Sequence, residues 1–367
     1  MKIYLVGGAV RDQLLGLPVK EQDWVVVGAT IEEMLTAGYR QVGKEFPVFL
    51  HPKTGEEYAL ARMERKINPG YKGFTFDTSK DVTLEEDLSR RDLTINAMAE
   101  TPEGELVDPF HGKKDLEQKI LRHVSPAFAE DPVRILRIGR FLARYAHLGF
   151  RVAPETVKLM QQMVKAGEVN ALVAERVWKE LERALSEPNP AEFFAVLDQC
   201  EALSILFPSL TMDSPEMLAL KAAATLTQDS AIRFAALMHA LPDKKTLSDI
   251  CKRYRVPNVH QELAKLTSAH YKKALQAKLL SEYDLLALFT SLDYYRREDR
   301  FAKFLIACSA IASSNHLTFD APWLSAIAKA SVIDVAPLLE QGFKDQALGD
   351  EIKKRRLEKI AAALYQS

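Results

Sequence analysis

The sequence predicts an α+β head followed by an all-helical body, elongated if its helices stack in order. Three observations carry this. Runs rich in β-branched and aromatic residues concentrate in the first third of the chain. After about Leu121 the apolar residues recur at three- and four-residue spacing instead. No internal repeat or low-complexity linker interrupts the pattern. At 367 residues the chain exceeds one ordinary core. The expected divisions are a catalytic head over 1–121, a helical neck over 122–210, a body over 211–300 and a tail over 301–367.

In the head, "KIYLV", "DWVVV", "PVFLH", "EEYALAR" and "ELVDP" read as strands bounded by Gly, Pro or charged turns. Gly7 and Gly8 follow the first of these and precede the helical pattern "AVRDQLL". Glycines there let backbone N–H groups approach phosphate oxygens, and Arg11 adds the option of charge-assisted contacts. Alone, Gly-Gly is only a tight turn. The second strand, expected from about Glu21 to Val27, places Glu21 and Asp23 on one face, because side chains two apart point the same way. Two neighbouring carboxylates repel unless a cation lies between them, and Mg²⁺ typically takes one or two carboxylates plus phosphate oxygens. Read by itself, "KEQD" is a charged turn before a strand. A phosphate cradle followed so closely by an acidic pair is more specific.

Beyond Leu121, "DPVRILRIGRFLARYAHLGF", "PETVKLMQQMVKAG", "AERVWKELERALSE" and "NPAEFFAVLDQC" read as helices. In the first of them Pro132 suits the first helical position and Asp131 the cap. Arg134, Arg137, Arg140 and Arg144 form one stripe, while Ile135, Leu136, Ile138 and Phe141 fall largely elsewhere. No acid follows Asp131 before Ala153, which is unusual for a solvated helix face. Asp131 and Arg134, at i and i+3, can act together: the carboxylate accepts from an exocyclic amine while the guanidinium donates to ring nitrogens or carbonyl oxygens. That pairing suits C and A and offers G and U the wrong partners.

Composition narrows the class. Hydrophobic residues make up 47% and charged residues 27%, as in a soluble globular protein. No apolar run reaches the length of a membrane span, and the N-terminus lacks the pattern of a signal peptide. Cys200, Cys251 and Cys308 lie far apart, which disfavours a disulfide framework or structural zinc and suits a reducing cytoplasm. The formal net charge of −1 means that a nucleic-acid partner would need local basic patches. Candidates are Lys353, Lys354, Arg355 and Arg356 in "EIKKRRLEKI", and Lys272 and Lys273, although each set is equally a solvated helix face.

"GGAVRD", a short helix and then acid-x-Asp resemble the first signature of the tRNA nucleotidyltransferases and bacterial poly(A) polymerases of the DNA polymerase β superfamily. The resemblance continues through "RRDLTINAM" (90–98), "DPFHG" (108–112), "EDPVRILRIGRF" (130–141) and "ERVWKELERAL" (175–185), in order and at sensible spacing. It is greatest to the bacterial CCA-adding enzymes. The resemblance implies a polymerase-β-like head, with Glu21 and Asp23 holding Mg²⁺ and Gly8, Arg11 and Arg91 at the incoming nucleotide. It also implies that Asp92 recognises the ribose and that Asp131, Arg134, Arg137 and Arg140 form a protein template for CTP and ATP. The partner implied is tRNA, whose 3′ end would gain C, C and A, and the expected state is a monomer that enters no membrane.

Two departures stand out. The family has Asp at both acidic positions, whereas this chain has Glu21, whose extra methylene moves the carboxylate by about a bond length. Longer relatives carry a phosphohydrolase domain marked by His-Asp, whereas here His239 is followed by Ala240, so "RFAALMHALPDK" reads as a remnant kept for packing. Glu57 is a weak candidate for a third metal carboxylate. The alternatives are a partial CC- or A-adding enzyme, a poly(A) polymerase and, from another class, an inactive tRNA-binding protein. Residues 61 to 92, with Asn68, Pro69, Gly70 and Gly73, have the composition of a mobile loop, which partial CC-adding enzymes lack.

Overall fold

The computed structural model describes residues 1–42, 48–66 and 74–366. Asn68, Pro69, Gly70 and Gly73 of the expected loop therefore lie outside the described residues, as does the start of "PVFLH". The chain divides into two compact units, Met1–Ala184 with Glu192–Leu206, and Leu185–Ala191 with Phe207–Ser367.

The first unit is built on a mixed sheet. Its strands are β1 (Lys2–Val6), β2 (Asp23–Val27), β3 (Arg40–Gln41), β4 (Val48–Leu50) and β5 (Glu57–Leu60). After a separate hairpin of β6 (Met63–Lys66) and β7 (Phe74–Asp77) come β8 (Ala99–Glu100) and β9 (Leu106–Val107). The sheet order is β3-β4-β5-β2-β1-β8-β9. β1 and β2 run antiparallel with Val6 opposite Asp23, and β2 and β5 run parallel with Asp23 beside Glu57. Alternation then sorts the side chains. Val25 and Val6 pack on one face with Ala61, Leu88 and Ala97, while Val26 packs on the other with Met34, Phe49 and Leu60. β2 begins at Asp23 and not at Glu21, so Glu21 sits in the segment leading into the strand. The β6–β7 hairpin also gives regular structure to part of the stretch expected as loop.

Helices of this unit are α1 (Gly8–Leu14), α2 (Ile31–Thr36), α3 (Leu84–Ser89), α4 (Gly112–Glu117), α5 (Val133–Tyr145) and α6 (Pro154–Lys165). α7 (Ala174–Ser186), α8 (Ala191–Gln199) and α9 (Leu203–Leu206) follow. Thr30 and Thr83 close capping boxes with Glu33 and Glu86, which fixes where α2 and α3 start. One strand, β11 (Arg151–Val152), falls in the stretch expected to be helical only; it pairs in parallel with β10 (Ile120–Leu121). Gly139 lets α5 approach α8, since a Cβ there would lie 3.0 Å from the Phe193 ring.

The second unit is helical throughout its described residues: α10 (Pro215–Leu226), α11 (Ser230–Leu237), α12 (Lys244–Arg253), α13 (Asn258–Leu275) and α14 (Glu282–Ser291). α15 (Glu298–Ser314), α16 (Ala321–Ala330), α17 (Ala336–Glu340) and α18 (Asp345–Gln366) complete it. Small residues let α10, α11 and α15 pack closely around Ala219, Ala223, Ala236 and Ala310. Arg233, 1% exposed, donates to the carbonyls of Thr227, Leu185, Glu187 and Ala224, which satisfies its buried guanidinium. Among the described residues no helix is long and apolar enough to cross a membrane.

Candidate active site

Gly7 and Gly8 stand at the turn where β1 gives way to α1. Gly7 has φ +70°, a left-handed value that favours glycine, and a Cβ there would lie 2.8 Å from Arg91 Nη1. The turn thus admits the Arg91 side chain, which also donates to the Asn96 carbonyl (3.4 Å) and to Asp87 Oδ2 (3.3 Å). Across the β1–β2 ladder, the opposition of Val6 and Asp23 brings the acidic end of β2 next to this turn. Desolvation raises the Asp23 carboxyl above its ordinary value; Arg91 opposes the rise and the like charge of Glu21 adds to it. Glycine turn, guanidinium and acidic pair therefore meet at one end of the sheet. Glu57 is the register neighbour of Asp23, yet among the described residues no three potential ligands group closely enough to cage a metal.

Arg11 takes a different place from the phosphate contact expected of it. Its side chain is buried, with Nε donating to Asp12 Oδ1 (2.9 Å) and Nη1 to Asn96 Oδ1, and its guanidinium lies over the rings of Phe141 and Tyr145. Asp12 in turn accepts from Arg144 (3.1 Å) and from the Tyr145 hydroxyl (3.0 Å). The motif "VRD" thus locks α1 to α5.

Asp92 is buried, and both its oxygens are engaged. Oδ1 accepts from the Leu93 amide and from Asn96 Nδ2 (both 2.9 Å), and Oδ2 accepts from Arg137 Nε (2.7 Å). Desolvation works to raise this carboxyl, but Arg137, the Asn96 hydrogen bond and Arg134 together hold it well below the usual carboxylate range. The segment after "RRD" forms a single 3-10 turn, Thr94–Asn96.

The arginine stripe of α5 is real, but its arginines are half-buried or buried and are engaged by the protein. Arg134 donates to the carbonyls of Ala127 (2.8 Å) and Arg90 (2.6 Å). Arg137 pairs with Asp92, and Arg140 with Glu180 (2.6 Å). The acids missing from α5 come from α1, from "RRD" and from α7. Asp131 and Arg134 are each held by other groups of the protein. Asp131 caps α5 through the Val133 amide (3.1 Å) and is held by Arg176 through two bonds of 3.0 and 2.7 Å. The residues not singled out from sequence are Asp12, Asn96, Arg176 and Glu180. Two of them lie inside the quoted motif "ERVWKELERAL", at i and i+4, and that spacing was the available signal.

In the second unit, Lys353 and Lys354 are exposed, whereas Arg355 pairs with Glu351 (2.8 Å) and Arg356 stacks 3.3 Å from the Tyr295 ring centre. His239 is buried against the Ala236 carbonyl and the Tyr271 ring, which agrees with a packing role.

Residues 3–122 match the family described as the poly A polymerase head domain, and residues 149–213 match the probable RNA and SrmB-binding site of polymerase A. A CCA-adding enzyme of Pseudomonas putida (strain W619) is 52% identical, the match covering 99% of this chain and 98% of that protein. A multifunctional CCA protein of Pseudomonas putida (strain KT2440) is 54% identical over 99% of both chains. The solved complex of a CCA-adding enzyme with ATP shares the fold, with a TM-score of 0.74 and 22% identity over 100% of this chain and 88% of the other.

Proposed function

This chain belongs to the family of CCA-adding enzymes, and from that premise we propose how its residues divide the work of adding C, C and A to the 3′ end of tRNA from CTP and ATP. The reaction joins the tRNA 3′ oxygen to the α-phosphorus of the nucleotide and breaks the bond to the leaving pyrophosphate, with no nucleic-acid template. The observation that carries the reading is the meeting of the Gly7–Gly8 turn, Arg91 and Asp23 at one sheet end.

In this reading, Gly8 and Arg91 hold the nucleotide's phosphates, the first by its backbone and the second by its guanidinium. Glu21 and Asp23 are the residues that would hold Mg²⁺. The donor set fits, being two hard carboxylates, with burial first and the like charge of Glu21 after it raising Asp23. When bound, the ion lowers the pKa of the attacking hydroxyl and neutralises charge on the leaving pyrophosphate. Arg11 acts through Asn96 to hold the segment that carries Asp92. Asp92, at the ribose, has one acceptor position left on Oδ2 beside the Arg137 bond. Asp131, Arg134, Arg137 and Arg140 together read the base edge.

Residues 301–367 form the proposed tRNA-binding tail, with exposed Lys353 and Lys354 as its phosphate contacts. A monomer in a reducing cytoplasm is the proposed state, in keeping with three buried, unbonded cysteines. The deciding experiment supplies tRNA ending at the discriminator base with labelled CTP and ATP. Ordered addition of C, C and A is expected. Arrest at CC with ATP present would make this a partial enzyme, extended A tracts a poly(A) polymerase, and no incorporation a binding protein.

A further inference from the structure

We propose that His123 and Thr156 are positioning residues for the incoming nucleotide: together they set the short stretch of chain that brackets Arg91 and Asp92. The inference rests on the reading of Arg91 and Asp92 as groups that meet the nucleotide.

Residues 122–125 hold the "RRD" segment at both of its ends. On one side the Ser125 hydroxyl donates to the Ser89 carbonyl (2.7 Å). On the other the Thr94 amide donates to the Arg122 carbonyl (2.9 Å), and Leu93 lies opposite His123 in an antiparallel bridge. Arg91 and Asp92 sit between these two anchors. A shift of 122–125 therefore moves both, Arg91 against the Gly7 turn and Asp92 against Arg137.

The stretch 122–125 is itself fixed from α6. Thr156 is fully buried, and its hydroxyl oxygen meets His123 twice: the His123 amide donates to it (3.1 Å), and Nδ1 lies 2.7 Å away. Since that oxygen already accepts the amide, its own hydrogen is directed at Nδ1, which makes Nδ1 an acceptor and puts the ring proton on Nε2. Only the neutral imidazole closes this pair. A proton on Nδ1 would confront the hydroxyl hydrogen, which would have to turn away in a position closed to solvent. The Phe128 ring stands edge-on to the imidazole at 5.9 Å. Arg122 is the charged neighbour of the ring and is itself paired with Asp115 of α4 and Glu155 of α6. Burial first, and Arg122 after it, favour the neutral ring.

The test measures kcat and KM for CTP and ATP on tRNA, with UTP and GTP as controls and a melting curve for each protein. Thr156→Val keeps the volume and removes the hydroxyl. It should raise both KM values about tenfold, with kcat within about twofold and the preference for CTP and ATP unchanged, because it leaves buried groups of His123 unsatisfied. Thr156→Ser keeps the hydroxyl and should restore the wild-type KM. His123→Asn retains an acceptor near the Nδ1 position without a ring that titrates. In the wild type, KM should climb as the pH falls below the ordinary imidazole value of about 6.5. His123→Asn should show only the smaller climb that the nucleotide's own γ-phosphate imposes on both proteins. Wild-type KM in a folded Thr156→Val overturns the proposal, whatever happens to its melting temperature. Identical pH profiles of KM in wild type and His123→Asn overturn it even if the Val variant fails to fold. If Arg91→Gln leaves KM unchanged, the reading of Arg91 itself fails. If Arg91→Gln raises KM and Thr156→Val does not, the positioning role alone is wrong.

Discussion

At the scale of single residues, the acidic pair proposed to carry the chemistry contributes little to packing. Asp23 ends a ladder whose buried members are Val25 and Val26, so shortening it removes the proposed metal ligand and no core volume. Asp23→Ala should therefore abolish nucleotide incorporation while shifting the folding free energy by no more than about 0.5 kcal/mol, checked by a single-turnover assay beside a melting curve. Glu21→Asp should preserve or raise the rate, since it restores the shorter carboxylate. Wild-type turnover in Asp23→Ala would refute the metal assignment. Gly112 shows the opposite kind of residue. A Cβ there would lie 2.2 Å from the Thr94 carbonyl oxygen, so the glycine in "DPFHG" serves close backbone approach. The sequence showed that glycine without showing what it approaches.

At the scale of elements, α5 and the segment around residues 66–76 are proposed to divide the problem of base choice. α5 supplies a fixed set of groups, and a fixed set must still pass from CTP to ATP after two additions. Residues 61–92 are the proposed lever, regular at β6 and β7 and with seven residues between them outside the described part. Shortening 66–76 should spare C addition and impair A addition on tRNA ending in CC, read on a sequencing gel with each nucleotide alone. Equal loss of both steps would make the segment a structural prop. α5 was legible from its arginine spacing. The spacing did not reveal that Arg137, Arg140 and Arg144 are ion-paired, because their partners Asp92, Glu180 and Asp12 are distant in sequence.

At the scale of the molecule, buried titratable groups set a pH dependence of stability. Burial first of all pushes His123, His239 and His270 below their ordinary value, with neighbouring cations Arg122, Lys272, and Lys244 and Lys273 adding to it. Below an unfolded pKa of about 6.5 the unfolded chain binds protons that the folded chain refuses, so stability falls as the pH is lowered through that value. Asp92 adds a second phase. Its folded carboxyl is depressed, so its contribution is complete above an unfolded pKa of about 3.9 and is lost as pH falls below it. The melting temperature should decline from about pH 7 downwards and more steeply below about pH 4. His239→Gln should flatten the upper phase, followed by circular dichroism; an unchanged slope would remove His239 from the account.

The sequence by itself determined the α+β head and helical remainder, because strand alternation and helical spacing are local properties that a run of ten to twenty residues displays. It also placed the glycine turn, the acidic pair and the arginine stripe, because each is a short motif whose chemistry depends on residue type and spacing. Only the tertiary structure decided which charges meet. Arg11 looked like a phosphate contact and is buried with Asp12 and Asn96. Asp131 is held by Arg176, 45 residues away, a partner that its local sequence does not name. The physical reason is that an ion pair is chosen by distance and desolvation in the folded chain, and neither is encoded by the separation of two residues along it.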